Sequence, residues 1–373
     1  MNGQMPRWLE IGVIPLINLI LALFVAGLII LLIGENPIDA VGFMITGAFG
    51  YAEGIGYTLY YTTNFIFTGL AVAIAFHAGM FNIGGEGQAY IGGLGIGLLI
   101  LATDSFMPLP FLVPLGILAC AIFGAAWAAI PAYLQAYRGS HIVITTIMFN
   151  FIAAALMVYL LVNVLIKPGQ MSPETREFAE SAFLPFMHEM LGWVGIEVAK
   201  SPLNMSFLWA LICAVLIYFY IWRTRWGYAL RCVGANDTAA HYAGIDTRKV
   251  IVITMCISGG LAGFVGLNEL MGVNHRILLN FHLGYGFTGI AVALMGRNHP
   301  VGVVMASLLF GALYQGGTEL AFEMPKITRE MVVVIQGLII LFSGALAYMI
   351  NPYIEFLWFL FAGRRAAAAG QEG

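Results

Sequence analysis

The feature that most restricts this chain is the recurrence of long stretches without charge. From Ile11 to Ile33 no Asp, Glu, Lys or Arg interrupts the apolar pattern. A membrane-spanning helix needs roughly 20 such residues, and about ten candidates can be placed on that measure. They are Ile11–Ile33, Tyr57–His77, Glu86–Ala102, Phe111–Leu134, Ile142–Ile166, Met205–Trp222, Val250–Leu270, Tyr285–Gly296, Val301–Gly317 and Met331–Ile350. The eighth is too short to cross alone, so it either extends upstream towards Phe281 or is a broken or re-entrant segment. The first is longer than a signal-peptide core of about 7–15 residues and no small-residue cleavage site follows it, so it is expected to stay as a span. Composition agrees with this pattern. Only 9% of residues are charged, 61% are hydrophobic and the mean hydropathy is +0.90, whereas a soluble domain carries roughly 25% charge. The expected fold class is an all-α polytopic membrane protein whose solvent is lipid.

Charge placement then orients the spans. With the amino terminus inside, one face holds Arg7, Arg138, Arg223, Arg225, Arg231, Arg248, Lys249, Arg297, Arg364 and Arg365. The other holds Lys167, Arg176, Lys200, Arg276, Lys326 and Arg329, spread over longer loops. Basic residues concentrate on the cytoplasmic side, which places both termini in the cytoplasm. The expected organisation is a transmembrane domain over 1–350 and a cytoplasmic or interfacial tail over 351–373. Within the domain, 223–249 is a basic cytoplasmic region and 167–204 a long extracytoplasmic loop. That loop suits either a receiver for a soluble partner or a solvated connector. A net charge of −3 gives no reason to expect nucleic acid. Of the four cysteines, Cys120, Cys213 and Cys256 sit in apolar runs and read as small hydrophobes.

Three segments break the apolar pattern. Phe81-Asn82-Ile83-Gly84-Gly85-Glu86-Gly87-Gln88 combines three glycines with a carboxylate. Asn82 suits a helix cap and Glu86 the first turn after it. Both a tight turn near the membrane surface and an irregular stretch lining a water-filled path fit this spacing. Gly234 to Ile245 reads as a short helix capped by Asn236 or Asp237 and terminated by Gly244. Ala239, Ala240 and Ala243 line one face and Tyr242 adds an aromatic knob. Such a helix suits docking into another protein or packing on its own chain. Gly284 to Pro300 ends an apolar stretch in a basic turn, and Pro300 opens the next helix. Thr68–Ile74 also echoes Thr288–Leu294, a hint of internal repetition.

In this order and spacing, FNIGGEGQ, the GAND-TAAHYAGI segment and GFTGIAVALMGRNHPVG resemble the permeases of ABC importers for nucleosides and simple sugars, within the branched-chain amino acid/ribose-type superfamily. The likeness runs from the first span to about Gly311 and includes Gly34-Glu35-Asn36-Pro37 and Gly47-Ala48-Phe49-Gly50. It implies a type II-like importer permease in the inner (plasma) membrane. The implied partners are a cytoplasmic ABC ATPase, a second permease subunit (related or identical), an extracytoplasmic substrate-binding protein and membrane lipid. Under the resemblance, Gly234, Asn236, Asp237, Ala239, Ala240, Tyr242, Ala243 and Gly244 form the ATPase-coupling helix. Asn64, Asn82, Glu86, Gln88, Asn150, Asn268 and Gln315 are polar residues in or beside spans, and so candidates for the translocation path. Each is equally a candidate for a bond to a neighbouring helix.

No catalytic or metal-ligating set is expected. The four lysines, Lys167, Lys200, Lys249 and Lys326, follow Ile, Ala, Arg and Pro, so the Gly-Lys pair of a phosphate-binding loop is missing. The expectation is that ATP and Mg bind a partner ATPase and that this chain holds no cofactor. His275 and His282 fall in an outer loop, where solvated side chains are expected. An ion-coupled secondary transporter is the rival reading, and it would need ionisable groups inside the spans. Glu86, Glu269 and His77 are the ones near span ends or interiors. A membrane enzyme or scaffold finds no converging acid, base or nucleophile in this sequence.

Overall fold

The computed structural model describes residues 14–328, 331–338 and 341. Among the described residues run α1 (Ile14–Leu32), α2 (Pro37–Phe49), α3 (Ala52–His77), α4 (Gly85–Thr103), α5 (Leu109–Arg138), α6 (Ile142–Asn163), α7 (Met187–Gly192), α8 (Ser206–Arg223), α9 (Arg225–Ala235), α10 (Asp237–Tyr242), α11 (Thr247–Gly263), α12 (Tyr285–Met295) and α13 (Pro300–Glu323), and residues 331–338 are helical as well. A π-helical segment, Leu267–Asn274, prolongs α11. By length and composition seven helices are able to cross a membrane, or up to eight if the α1–α2 pair, bent by 118°, counts as one span. The described residues are therefore all-helical and polytopic, with fewer spans than the ten read from the sequence. Three expected spans account for the difference, and the first, Ile11–Ile33, enters only through the bent α1–α2 pair. Tyr285–Met295 has 11 residues, a rise of about 16 Å against a hydrocarbon core of about 30 Å. The expected span Met331–Ile350 falls largely outside the described residues, as do Arg7, Arg329, Arg364, Arg365 and the tail 351–373.

The chain divides into two units. In the first, residues 48–315, α3, α4 and the α11 span are mostly buried while α5, α6 and α8 expose apolar side chains along their length. Helices α4, α5 and α11 approach one another closely through small residues. Gly92 of α4 lies on Gly263, and Gly124 of α5 lies on Gly259, where an added methyl would strike backbone. Without a hydrophobic drive between helices in lipid, such close backbone contact is what holds them together. The sequence echo has a structural counterpart: Gly289 of α12 sits on Thr68 of α3, and Gly69 sits against Val292. In the second unit, residues 1–47 and 316–373, Asn36 Oδ1 accepts the Ile38 N–H at 3.0 Å and opens α2, with Pro37 at its first position. Glu35 pairs with Lys326 Nζ at 3.0 Å, and Gly316 rests on the Met44 backbone.

The 48–315 unit has two chemically different ends. One gathers Arg138, Arg223, Arg225, Arg231, Arg248, Lys249 and Arg297. The other carries the long 167–204 segment, which folds onto the bundle instead of standing free. Leu184 N–H bonds Met271 O at 3.0 Å, Phe178 N–H bonds His275 O at 2.7 Å, and Phe178, Ala182 and Leu184 are buried. Its strongest fastening is Asp104, 4% exposed at the end of α4. Both carboxylate oxygens take Arg176, at 2.7 and 2.9 Å, and Oδ2 also accepts the Ala179 N–H at 3.0 Å. The bidentate guanidinium holds the Asp104 carboxyl below its ordinary range.

A depressed carboxyl pKa means the stabilisation is complete at neutral pH and disappears as pH falls through the ordinary aspartate range, about 3.9, and below. Protease nicking between residues 176 and 182, corrected with a free-peptide control, should therefore accelerate several-fold as pH drops below about 4. In Asp104→Asn the faster nicking should be present already at neutral pH.

Candidate functional site

Two irregular stretches break the helices inside the bundle, and the buried polar residues cluster around them. The first, Met80 to Gly84, connects α3 to α4. Asn82 accepts the Gly84 N–H at 2.9 Å and donates to Gln88 Oε1 at 2.9 Å and Ser258 Oγ at 2.8 Å. Asn82 is thus not the helix cap expected from the sequence. Gly84 holds that position, and Asn82 closes a turn two residues earlier. Asn150 of α6 completes the stretch. Its Oδ1 accepts the Gly87 N–H and its Nδ2 donates to Ile83 O, both at 2.9 Å. Asn82, Gln88 and Asn150 therefore satisfy backbone and amide groups that lipid would leave unpaired.

The second stretch, His275 to Gly284, runs from the end of the π-helical segment to α12 and descends along α4 in the opposite direction. Ile277 covers Gly97 and Phe281 covers Gly93, so two bare positions on α4 form its seat. The Asn280 N–H bonds Tyr90 Oη at 2.9 Å. At its foot, Gly286 N–H donates to Glu86 Oε2 at 2.7 Å, and His282 Nδ1 lies 3.3 Å from Glu86 Oε1. A side chain at position 286 would collide with the Glu86 backbone, so the approach requires glycine. Glu86 stands in the first turn of α4 and at the first turn of α12, so two positive helix ends face one carboxylate. His282 is not the solvated outer residue expected: its side chain is 12% exposed and its ring lies 4.3 Å from Tyr90. His275 is likewise stacked on Phe183 at 3.6 Å. The segment that looked like an outer loop runs down along α4 to meet α12, and His275 and His282 both pack on protein.

A third cluster surrounds the π-helical segment. Glu269 Oε1 accepts from Tyr60 Oη at 2.6 Å and Asn64 Nδ2 at 2.7 Å, while Asn274 Nδ2 reaches Oε2 at 3.3 Å. Asn268 donates to Asn64 Oδ1 at 3.0 Å and accepts from Asn204 Nδ2 at 2.8 Å and Ser206 Oγ at 2.7 Å. The wider π turn lets neighbouring residues Asn268 and Glu269 both face inward. Of the sequence candidates, Asn64 and Asn268 meet here. Glu86 belongs to the second stretch, and Gln315 is buried on α13. Tyr60, Asn204, Ser206 and Glu269 were not on the path list, though an Asn-Glu pair inside an apolar run is itself a signal, since charge at that depth is costly. Beside these clusters Phe65, Tyr285 and Tyr314 form an aromatic wall, with Phe65 4.9 Å from Tyr314 and 5.5 Å from Tyr285.

The basic end is built by successive caps. Thr224 Oγ1 accepts the Gly227 N–H at 3.0 Å, Asn236 Oδ1 the Ala239 N–H at 2.9 Å, and Asp246 Oδ1 the Lys249 N–H at 3.2 Å. Three helix starts therefore follow within one stretch that the sequence leaves partly as loop. Asn236 is the cap of α10, and Gly244, at φ 78°, takes the left-handed position after it. Tyr242 is 87% exposed, and Ala239 and Ala243 are exposed beside it, whereas Ala240 turns inward and packs on its own chain. Gly234 lies on the His77 carbonyl, which ties this end to α3. A cavity of about 750 Å³ adjoins α10, lined by Gln135, Asp237, Thr238, His241 and Arg248. Among the described residues no His, Cys, Asp and Glu cluster could hold a metal ion.

The Glu269 network gives a sharp stability test. Glu269→Gln keeps a carbonyl oxygen for Tyr60 and Asn64, while Glu269→Leu strands both donors at about 1–3 kcal/mol each. The Leu variant should lose several degrees of melting temperature in detergent and the Gln variant little. Equal losses would count against the network.

A family model described as branched-chain amino acid transport system / permease component matches residues 54–344. The chain is 37% identical over 335 residues to the guanosine ABC transporter permease protein of Bacillus subtilis (strain 168), covering 89% of this chain and 92% of that one. It is 34% identical over 339 residues to the glucose ABC transporter permease protein of Haloferax volcanii, covering 90% and 88%. With the nucleoside ABC transporter permease protein of Lactococcus lactis subsp. cremoris it shares 31% identity over 333 residues, covering 88% and 89%. Helices broken around buried polar clusters and a family match over most of the length agree: the chain belongs to the branched-chain amino acid transport permease family of ABC transporters, integral membrane transport subunits and not enzymes.

Proposed function

We propose that this chain is the translocating subunit of an ATP-driven importer that carries nucleosides into the cell. The observation that carries this reading is its 37% identity along 92% of a guanosine permease, with a nucleoside permease of similar coverage beside it. Glu86 at two converging helix N-termini, next to the Phe65–Tyr285–Tyr314 wall, suits a polar sugar joined to a flat base. Asn64, Asn82, Gln88, Asn150, Asn268 and Gln315 support the path as its scaffold. A simple sugar is the second reading, favoured by the 34% identity to a glucose permease.

In this reading the basic end is cytoplasmic, both termini lie on that side, and the membrane is the inner (plasma) membrane. The domain then runs over 1–350, with 223–249 as its coupling region, 167–204 outside and 351–373 a cytoplasmic or interfacial tail. The partner ATPase binds ATP and Mg and docks on α10 through Tyr242, Ala239 and Ala243, with Gly234, Asn236, Asp237, Ala240 and Gly244 shaping the helix. A second permease, related or identical, completes the path. A soluble binding protein delivers substrate to the Asp104–Arg176 end, where a recess of about 330 Å³ is lined by Lys167, Gln170, Glu177 and Arg276.

Proteoliposomes holding this chain with its ATPase and second permease should take up guanosine only with ATP and the binding protein present. Uptake driven by an ion gradient without any ATPase would falsify the proposal, and glucose uptake in place of guanosine would select the second reading. For the docking helix, Ala239→Arg with Ala243→Arg should abolish ATPase co-purification and ATP-driven uptake while leaving insertion intact. Normal recovery of the complex would remove α10 as the contact. Ala240→Arg is not a clean test, because that side chain faces inward.

A further inference from the structure

At the basic end a groove opens between α8 and α13 on the outer surface of the bundle. It encloses about 320 Å³, and its walls are Leu211, Ala214, Val215 and Tyr218 of α8 and Val301 and Val304 of α13. No charged residue lines it. Its floor at the basic end is aromatic: Tyr218 and Trp222 stack with centroids 5.5 Å apart, and His299 lies 4.9 Å from Trp222 and 5.8 Å from Tyr218. Arg223 follows Trp222 directly, and Arg225 follows two residues later at the elbow where α9 begins. Both arginines are exposed, and among the described residues neither has an ion-pair partner. The exposed Trp226 and Tyr228 flank them.

This order, an apolar slot, then an aromatic ring cluster, then two cations within about 8–10 Å along the chain direction, is the profile of half a bilayer from acyl tail to headgroup. We propose that the α8–α13 groove binds one anionic phospholipid, its acyl chain between Val215 and Val301 and its phosphate between Arg223 and Arg225. The N-terminus of α9 adds a favourable field at the same point. A second copy of this chain is the other candidate occupant, and the disulfide outcome below tests for it.

The test is native mass spectrometry of the full chain in neutral detergent with equal phosphatidylglycerol and phosphatidylcholine. The wild type should retain phosphatidylglycerol preferentially. Arg223→Gln with Arg225→Gln should weaken its retention about thirtyfold, to the phosphatidylcholine level, since each of the two surface cations contributes about 1 kcal/mol and 1.4 kcal/mol is a factor of ten. Val301→Trp, or Val215→Trp if the first does not fold, should expel both lipids. Unchanged phosphatidylglycerol retention in the double variant would overturn the proposal. So would quantitative inter-chain disulfide formation in membranes between Val215→Cys and Val301→Cys chains, because a second copy would then fill the groove.

Discussion

The Gly286 N–H bond to the Glu86 carboxylate joins two helices that both begin inside the bundle. A helix start exposes backbone N–H groups, and in a membrane those groups have no water to pair with. Placing one carboxylate at two such starts satisfies the Gly286 donor of α12 and sets the carboxylate in the field of both helix ends. Around it the irregular connections settle where side-chain amides supply what the broken helices lack. Asn82, Gln88 and Asn150 serve one connection, and Asn64, Asn204 and Asn268 serve the π turn near the other. Amides suit this role because each both donates and accepts, so a short chain of them closes without leaving a charge over.

Much of this architecture is written in the sequence, and the exceptions share one cause. Spans such as Ile142–Asn163 and Ser206–Arg223 appear within a few residues of where uncharged runs place them, because lipid imposes a simple rule on composition. The cap at Asn236 and the left-handed Gly244 are equally legible, being local and set by the chemistry of adjacent residues. What was not legible depends on partners distant in sequence. His282 lies in a polar stretch and looks solvated, but its neighbours Tyr90 and Glu86 are almost two hundred residues away. Ala240 was grouped with Ala239 and Ala243 by size, and its inward turn is decided by α9 and α11. Asn82 reads as a cap only until Ser258 and Gln88 are seen to claim its donor.

The family match and the buried clusters explain each other. A subunit that must open and close needs contacts that hold a state firmly without welding it. Close glycine contacts give helices α4, α5 and α11 firmness, because backbones that touch admit few alternatives. The basic end is different in kind, since its three helix starts are each closed by their own side chain. Push on one and the others keep their shape.

The irregular segment before α12 has a mechanical consequence of its own. His275 to Gly284 covers part of the membrane's depth as irregular chain and α12 covers the rest as helix, with Ile277 and Phe281 resting on bare glycine positions of α4. A continuous rod can move along its axis only as a whole. A rod hung from a short irregular cord can shift while its far anchor stays still, because the cord takes up the change. The fold thus stores slack at the one level where Glu86 joins two helix starts.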